Sequence, residues 1–504
     1  MQLSGKILGQ LNKQQVIVPA NSLFALPEKI LQFGTGVLLR GLPDYFIDKA
    51  NKQNIFNGRI VVVKSTDSGV TNAFKEQDGL YTLLERGVEN GERSEKAVIN
   101  ASISRVLSAN EEWNTILQCA ANPVMQVIIS NTTEIGITLA ASDVLTQKPV
   151  SFPGRLLHFL QARHDAFNGS DEAGMVIIPT ELIPDNGTQL KNIVLTLAKL
   201  KGSTDSFIQW LTHANDFCNS LVDRIVPGKP SAADQAIAEK QLGYADELMI
   251  MSETYRLWAI ETTSERTKTI LSFSNIDEGV VLSPDINKFR ELKLRLLNGA
   301  HTLSCGLAHL AGFQTVKDAM ENAPFARYVS NLMLQEIAPL VVKNDISLKE
   351  AHHFASQVMD RFKNPYIEHR WLSITVQYTS KMVMRTVPLL EKHYALTHEV
   401  PELMALGFSA YILFMKSVKK TDNTFYGEYN GVNYRIQDDK AEILYTIWQS
   451  GSIDSVVVLI LSDVRIFGSD LTRYPGFSDT VNLYLTSLTQ NGTVKTLQSV
   501  AAKK

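Results

Sequence analysis

Cysteine is scarce: Cys119, Cys218 and Cys305 are the only three in 504 residues, too few and too far apart for a disulfide framework or for the CxxC pair of a structural zinc. A reducing compartment is expected. Long apolar runs are also missing, since the longest nearly apolar stretch, 403–415, falls short of the ~18 residues that span a bilayer. The opening MQLSGKILGQLNKQQ lacks the apolar core of a signal peptide. Both absences point to the cytoplasm, where matches such as Asn131-Thr132-Thr133 have no glycosylation meaning. Charge of one sign is not in excess either. With 49 basic and 52 acidic residues the formal charge is -3, so no global field is available to hold nucleic acid or an anionic membrane. A small-molecule ligand is expected, and nothing in the sequence sets the oligomeric state.

What is present is an ordinary globular composition, 44% hydrophobic and 20% charged, in a chain longer than one hydrophobic core supports. Two domains are expected. In the first half, β-branched runs at 29–34, 59–65, 125–130 and 174–179 alternate with helical stretches, the pattern of buried parallel strands. From about Asp285 the pattern becomes one of long amphipathic segments: 286–312, 325–343, 347–362, 366–391 and 400–418. The expected architecture is an α/β, Rossmann-type domain over 1–284 followed by a predominantly α-helical domain over 285–504.

Gly34-Thr35-Gly36 follows the first predicted strand and opens a helix, so its amides could receive a pyrophosphate. The fingerprint is incomplete, because Leu39 stands where the third glycine of G-x-G-x-x-G would be. After the second strand, Asp67 is the first carboxylate available to ribose hydroxyls; Lys64 could instead favour a 2′-phosphate, and Asp67 could be a solvated turn residue. A polar cluster, Ser130-Asn131-Thr132-Thr133-Glu134, stands at the carboxyl end of the third strand, where open α/β sheets bind ligands or simply cap helices.

The second half holds the chemical candidates. In Lys293-Leu-Arg-Leu-Leu-Asn298-Gly-Ala-His301, at ~100° per residue, Lys293, His301 and Asn298 fall at about 0°, 80° and 140° of one α-helix. One face can carry all three. Oxidation of an alcohol needs a group that takes the hydroxyl proton as hydride leaves, and a lysine withdrawn from water can do so because burial disfavours its charged form. Asn298 would donate to the oxygen that gains negative charge, and His301 would orient substrate or lysine. The same spacing also fits a snorkelling lysine, a satisfied core asparagine and a lone histidine.

Lys-x4-Asn-x2-His within KLRLLNGAH resembles the signature of the mannitol dehydrogenase family of polyol-specific long-chain dehydrogenases. FGTGVLLRG at 33–41, SNTTEIG at 130–136, LVDRIVPG at 221–228 and RFKNPYIEH at 361–369 resemble family landmarks in the same order. The resemblance implies NAD-dependent hydride transfer without a metal, with the active site between a Rossmann-type and a helical domain. Segments such as IIPTELIPDNG at 177–187 sharpen it to a sugar-acid substrate, the D-tagaturonate/D-altronate pair. Fructuronate/mannonate or mannitol/fructose chemistry is the alternative within the family, and a non-catalytic sensor the alternative outside it.

Carried over by position, Lys293 becomes the general acid/base, with Asn298 and His301 as its partners. The cofactor segment is Ile30, Leu31, Gln32, Phe33, Gly34, Thr35, Gly36, Val37, Leu38, Leu39, Arg40 and Gly41, with Asp67 and Asn131. Asp223 matches a family carboxylate near the active site, or else forms a salt bridge with a neighbouring arginine. Lys381 matches a lysine that faces substrate, and Arg385 follows it by one helical turn. One position departs from the family: Leu182 replaces an asparagine that serves as second oxyanion donor. Asn186 is the expected substitute. Glu350, His352 and His353 could suggest a metal, but adjacent helical residues do not face one another and HExxH is absent.

Overall fold

Strands such as RIVVVK carry apolar side chains on both faces, which suits a sheet covered on both sides. The computed structural model describes residues 1–65, 71–132 and 136–503. In it the four predicted runs are the strands Glu28–Phe33, Arg59–Lys64, Val127–Ser130 and Val176–Pro179 of a six-stranded sheet, which Ile103–Ser108 and Asp216–Phe217 complete at its edges. Every pairing in it is parallel. Numbered along the chain, these six strands lie in the order 3-2-1-4-5-6. The order reverses between Glu28–Phe33 and Val127–Ser130, and ligands of such sheets bind outside the carboxyl ends of the strands at that point.

Alternate side chains divide between two cores. Ile30, Ile60, Val62, Ile129 and Ile178 pack on one face, while Leu31, Phe33, Val61, Val63, Ile128 and Ile177 pack on the other. The chain forms two compact units, one of Met1–Gly87 with Arg93–Ile286 and one of Val88–Glu92 with Asn287–Lys504. Two small sheets of the first half were not expected: Tyr81–Glu89 with Glu92–Asn100 and Ile250–Ser252, and Ser220–Asp223 with Leu257–Glu261 and Val280–Ser283. Asn90-Gly91, with φ of 53° and 80°, makes the turn of the first, the dipeptide that a two-residue hairpin prefers.

The second unit is mainly helical. Ser347 and Glu350 form a capping box at the start of Leu348–Phe362, so Glu350 holds a helix end. Glu402–Phe414 is buried along nearly its whole length, and its first amides, Leu403 N and Met404 N, donate to the buried carboxylate of Glu336. The stretch 366–391 is not one helix but three, Trp371–Ile374, Tyr378–Arg385 and Val387–Leu396. A left-handed Gln377, φ 52°, makes one break, and Pro388 stands in the first turn of the last helix, where its missing N–H is harmless. A three-stranded antiparallel sheet, Lys419–Thr421, Thr424–Tyr429 and Val432–Ile436, also interrupts the helices. Among the described residues no helix is long and apolar enough to cross a membrane.

Candidate active site

The cofactor turn lies at the point where the strand order reverses. Gly34 N continues the sheet by donating to Val63 O, and Asn131 N does the same to Phe33 O. Gly34 has φ +128°, and a Cβ there would lie 2.9 Å from both Asn131 O and Leu39 Cδ1. Only glycine fits. Gly36 differs: it is exposed, caps the short helix Val37–Gly41, and a Cβ added to it would meet nothing within 4 Å among the described residues. The open backbone at Thr35 and Gly36 suits a phosphate group that approaches main-chain amides.

Side chains of this segment mostly serve the core. Ile30, Leu31, Gln32, Phe33 and Leu39 are fully buried, Val37 and Leu38 pack against the core, and Gly41 lies close to Val226. Arg40, assigned to the cofactor segment, is buried and turned towards the first unit's interior. Its Nη1 donates to Leu248 O at 2.7 Å, its guanidinium lies over the Tyr81 ring, and burial lowers its pKa. The amide of Asn131 donates to Thr180 O and Oγ1. Lys64 is buried at its strand end. Asp67 lies outside the described residues, as do Thr133 and Glu134.

At the neighbouring strand end the substitute for the missing oxyanion donor fails a simple count. Asn186 Nδ2 donates to Pro179 O, Glu181 O and Ser220 O, and its Oδ1 accepts from Gly187 N and Ser220 N. Its amide is wholly engaged in tying loop to strand, so the substrate role expected of Asn186 is corrected to a structural one. Leu182 is 59% exposed. Beside it, Glu181 was overlooked: it is buried, accepts from Ser130 Oγ, Thr132 N and Thr132 Oγ1 at 3.1, 2.9 and 3.0 Å, and burial raises its pKa. Asp223 ends the strand Ser220–Asp223 opposite Leu257 and is buried; the adjacent Arg224 pairs with Glu85.

In the second unit the chemical candidates do not lie on a regular α-helix. Asn287–Leu292 is α-helical, Lys293–Leu297 is a π-helical turn, and Asn298–Leu310 resumes the α-helix. The amide of Asn298 points to Lys293 O and Leu294 O together. In an i→i+5 turn the fifth residue comes round towards the first, whereas a straight α-helix would leave the two about 140° apart. The wider turn therefore corrects the angles expected from α-periodicity and draws Asn298 towards Lys293. Both residues are half-buried.

His301 is 8% exposed. Its ring stacks on Phe362 at 4.1 Å and meets His369 and Trp371 edge-on at 5.2 and 6.0 Å. Nε2 is buried and has no hydrogen-bond partner among the described residues. Burial, followed by His369, Arg361, Arg385 and Lys381, holds the imidazole well below its ordinary pKa, so it is neutral. Burial and then Lys381 and Arg361 lower His369 too.

Lys381 and Arg385 share the helix Tyr378–Arg385. Thr379 N donates to Asp438 Oδ2 at the start of that helix, and at its end Arg295 donates to Met384 O and Arg385 O. Lys381 Nζ donates to Ile374 O at 2.7 Å, and burial with Arg385 lowers its pKa. Arg385 Nη1 donates to Thr302 Oγ1 at 3.1 Å, and Thr302 Oγ1 donates to Asn298 O at 2.7 Å. Arg361 and His369, which also act on His301, both belong to the segment RFKNPYIEH.

Residues 28–271 match the Mannitol dehydrogenase Rossmann domain, and residues 285–489 match the Mannitol dehydrogenase C-terminal domain. Among curated relatives, the altronate oxidoreductase of Bacillus subtilis is 37% identical over 478 residues, 94% of this chain and 95% of the relative. That of Escherichia coli K12 is 35% identical over 475 residues, 92% and 95%. The fold is shared with the mannitol 2-dehydrogenase of Pseudomonas fluorescens, solved as a ternary complex with NAD and D-mannitol: TM-score 0.65, 23% identity, both chains covered in full. A substrate-free D-sorbitol dehydrogenase gives a TM-score of 0.79 at 19% identity, covering 99% of this chain and 100% of its own.

Proposed function

The chain belongs to the mannitol dehydrogenase family and is an oxidoreductase acting on a CH–OH group, and from that premise we propose that it interconverts D-tagaturonate and D-altronate with NAD(H). The observation that carries this reading is the surroundings of His301: a neutral imidazole with a partnerless, buried Nε2 that feels His369, Arg361, Arg385 and Lys381. Lys381 and Arg385 share one helix and both act on this imidazole, and two such positive charges suit an anionic sugar acid better than a neutral polyol.

The open turn at Thr35 and Gly36 fits the pyrophosphate of a dinucleotide, which when bound supplies or accepts the hydride. In the reducing direction Lys293 gives a proton to the carbonyl oxygen as it becomes an alkoxide, and takes it back in the oxidising direction. Asn298 Nδ2 donates to the same oxygen and so favours the charged transition state over the ground state. His301, unprotonated, offers Nε2 to a substrate hydroxyl or to Lys293. Lys381 and Arg385 attract the substrate carboxylate.

Steady-state rates with tagaturonate, fructuronate and fructose, each with NADH and with NADPH, test the proposal through the near-ultraviolet absorbance of the reduced cofactor. Tagaturonate with NADH is expected to give the highest kcat/KM. Comparable turnover of fructose would overturn the sugar-acid assignment, a preference for NADPH would overturn the cofactor, and binding without turnover of any uronate would make the protein a sensor.

A further inference from the structure

Beneath the cofactor turn a carboxyl and a carboxamide are buried side by side. Gln32 is the next-to-last residue of the strand Glu28–Phe33, Asp44 stands in the first turn of the helix Pro43–Lys52, and each is 0% exposed. Gln32 Nε2 donates to Asp44 Oδ2 and to Gly34 O, both at 3.4 Å. The other polar atom of each group, Gln32 Oε1 and Asp44 Oδ1, is buried without a hydrogen-bond partner among the described residues. While Asp44 is ionised, both of these atoms are acceptors and neither can satisfy the other. A single proton on Oδ1 removes both defects at once: the two planar groups then form an acid–amide pair in which one bond runs each way.

We infer that Asp44 is a protonated carboxylic acid in the native protein, that it donates from Oδ1 to Gln32 Oε1, and that this pair positions the Gly34 carbonyl and hence the dinucleotide turn. Gln32 is thereby a positioning residue, fixed by Asp44 on one side and holding the turn on the other. The electrostatics point the same way. Burial, reinforced by Asp48, pushes the Asp44 carboxyl up to about 8, against the opposing pull of Gln32 and Arg40. The groups facing it are few: Asp48, on the same helix, is paired with Lys52; Arg40 comes from Val37–Gly41; Tyr81, whose hydroxyl donates to Arg40 O, comes from the strand Tyr81–Glu89. A helix N-terminus favours an ionised carboxylate, but for a group with no water access desolvation is the larger effect.

The functional part of this inference rests on the reading of Thr35 and Gly36 as the dinucleotide cradle. Ionising Asp44 breaks its bond to Gln32 and buries a charge under the turn, so cofactor affinity should fall as the pH rises through about 8. NADH fluorescence titrations from about pH 6 to about pH 9.5 on the wild type and Asp44→Asn make the test. The wild-type Kd should be level below about pH 7 and then rise towards tenfold per pH unit, the limit for loss of one proton. In Asp44→Asn the amide donates to Gln32 Oε1 at every pH, so the variant's Kd, whatever its absolute value, should be level across the range. A level wild-type profile, or the same alkaline rise in the variant, overturns the inference.

A second measurement does not depend on the variant folding. In wild-type protein labelled with carbon-13 at the aspartate carboxyl, one resonance should titrate near pH 8, and an aspartate set that is fully ionised by about pH 6 overturns the inference. Absence of NADH binding at every pH would instead count against the cofactor reading, and the carbon-13 titration would still decide the state of Asp44.

Discussion

The two candidate regions, the sheet edge of the first unit and the π-helical turn of the second, are built on opposite principles. At the sheet edge the side chains of Ile30, Leu31, Phe33, Leu39 and Arg40 turn inward, and what remains for a ligand is backbone, open at Gly36 and shaped by the tightly packed Gly34. At the turn the backbone is occupied with itself, and what remains is side chains: Lys293, Asn298 and His301. A site made of backbone depends on what its residues lack. One made of side chains depends on the angle at which the helix presents them.

The largest expected effect tests the side-chain half. Lys293→Ala should lower kcat by ~10²–10⁴-fold, the usual worth of general acid–base catalysis, while NADH fluorescence titration shows little change in Kd. Retention of more than about a tenth of the activity would place the base elsewhere. The backbone half is sharpened by a pair of substitutions. Gly34→Ala should lower both thermal stability and NADH affinity, because its Cβ meets backbone at 2.9 Å and its φ of +128° is strained by ~1–3 kcal/mol in any other residue. Gly36→Ala should weaken NADH while leaving the melting temperature unchanged, since its Cβ points into space that no described residue fills. Equal losses of stability in both variants would erase the distinction between a structural glycine and a binding one.

A smaller effect is expected at Lys381. A hydrogen bond to a charged group contributes ~1.5–3 kcal/mol, so Lys381→Met should raise the KM for tagaturonate about tenfold or more and leave any residual KM for fructose nearly unchanged. Similar penalties for the two sugars would mean that Lys381 holds hydroxyls. The smallest effect concerns pH and stability. His301 has a lowered pKa in the folded state, so its contribution is complete above its unfolded value of ~6.5 and is lost as the pH falls through the folded one. Melting temperatures at about pH 7.5 and about pH 5.5 should therefore differ less in His301→Gln than in the wild type. A difference as large in the variant would assign the acid sensitivity to other groups, His369 first.

Much of the parallel sheet could be read in advance because Val61, Val62 and Val63, like Ile128 and Ile129, are apolar without alternation, and only a doubly covered strand tolerates that. The hairpin around Asn90-Gly91 has a turn signal but no matching strand signal, since Glu92–Asn100 is largely exposed and offers no apolar run. For the site, residue identity was informative and geometry was not. Gly34 and Lys293 stood out by type and position. That Arg40 turns inward and that Asn186 is engaged by three carbonyls depends on partners as distant in sequence as Leu248 and Ser220. The π-helical turn is unreadable for a different reason: the apolar residues Leu294, Leu296 and Leu297 fit a period of 3.6 as well.

That turn has one more consequence. A π-helical turn holds one residue more than the α-helical turn it replaces, so Lys293–Leu297 amounts to a one-residue insertion that the wider turn absorbs before the α-helix resumes at Asn298. Removal of any one residue between Leu294 and Leu297 would restore an unbroken ladder of i→i−4 bonds and a more regular helix. It would also leave Lys293 and Asn298 four residues apart, about 40° in α-helical phase, so the two would stay neighbours. The wider turn thus lets residues five apart meet as residues four apart do on a regular α-helix.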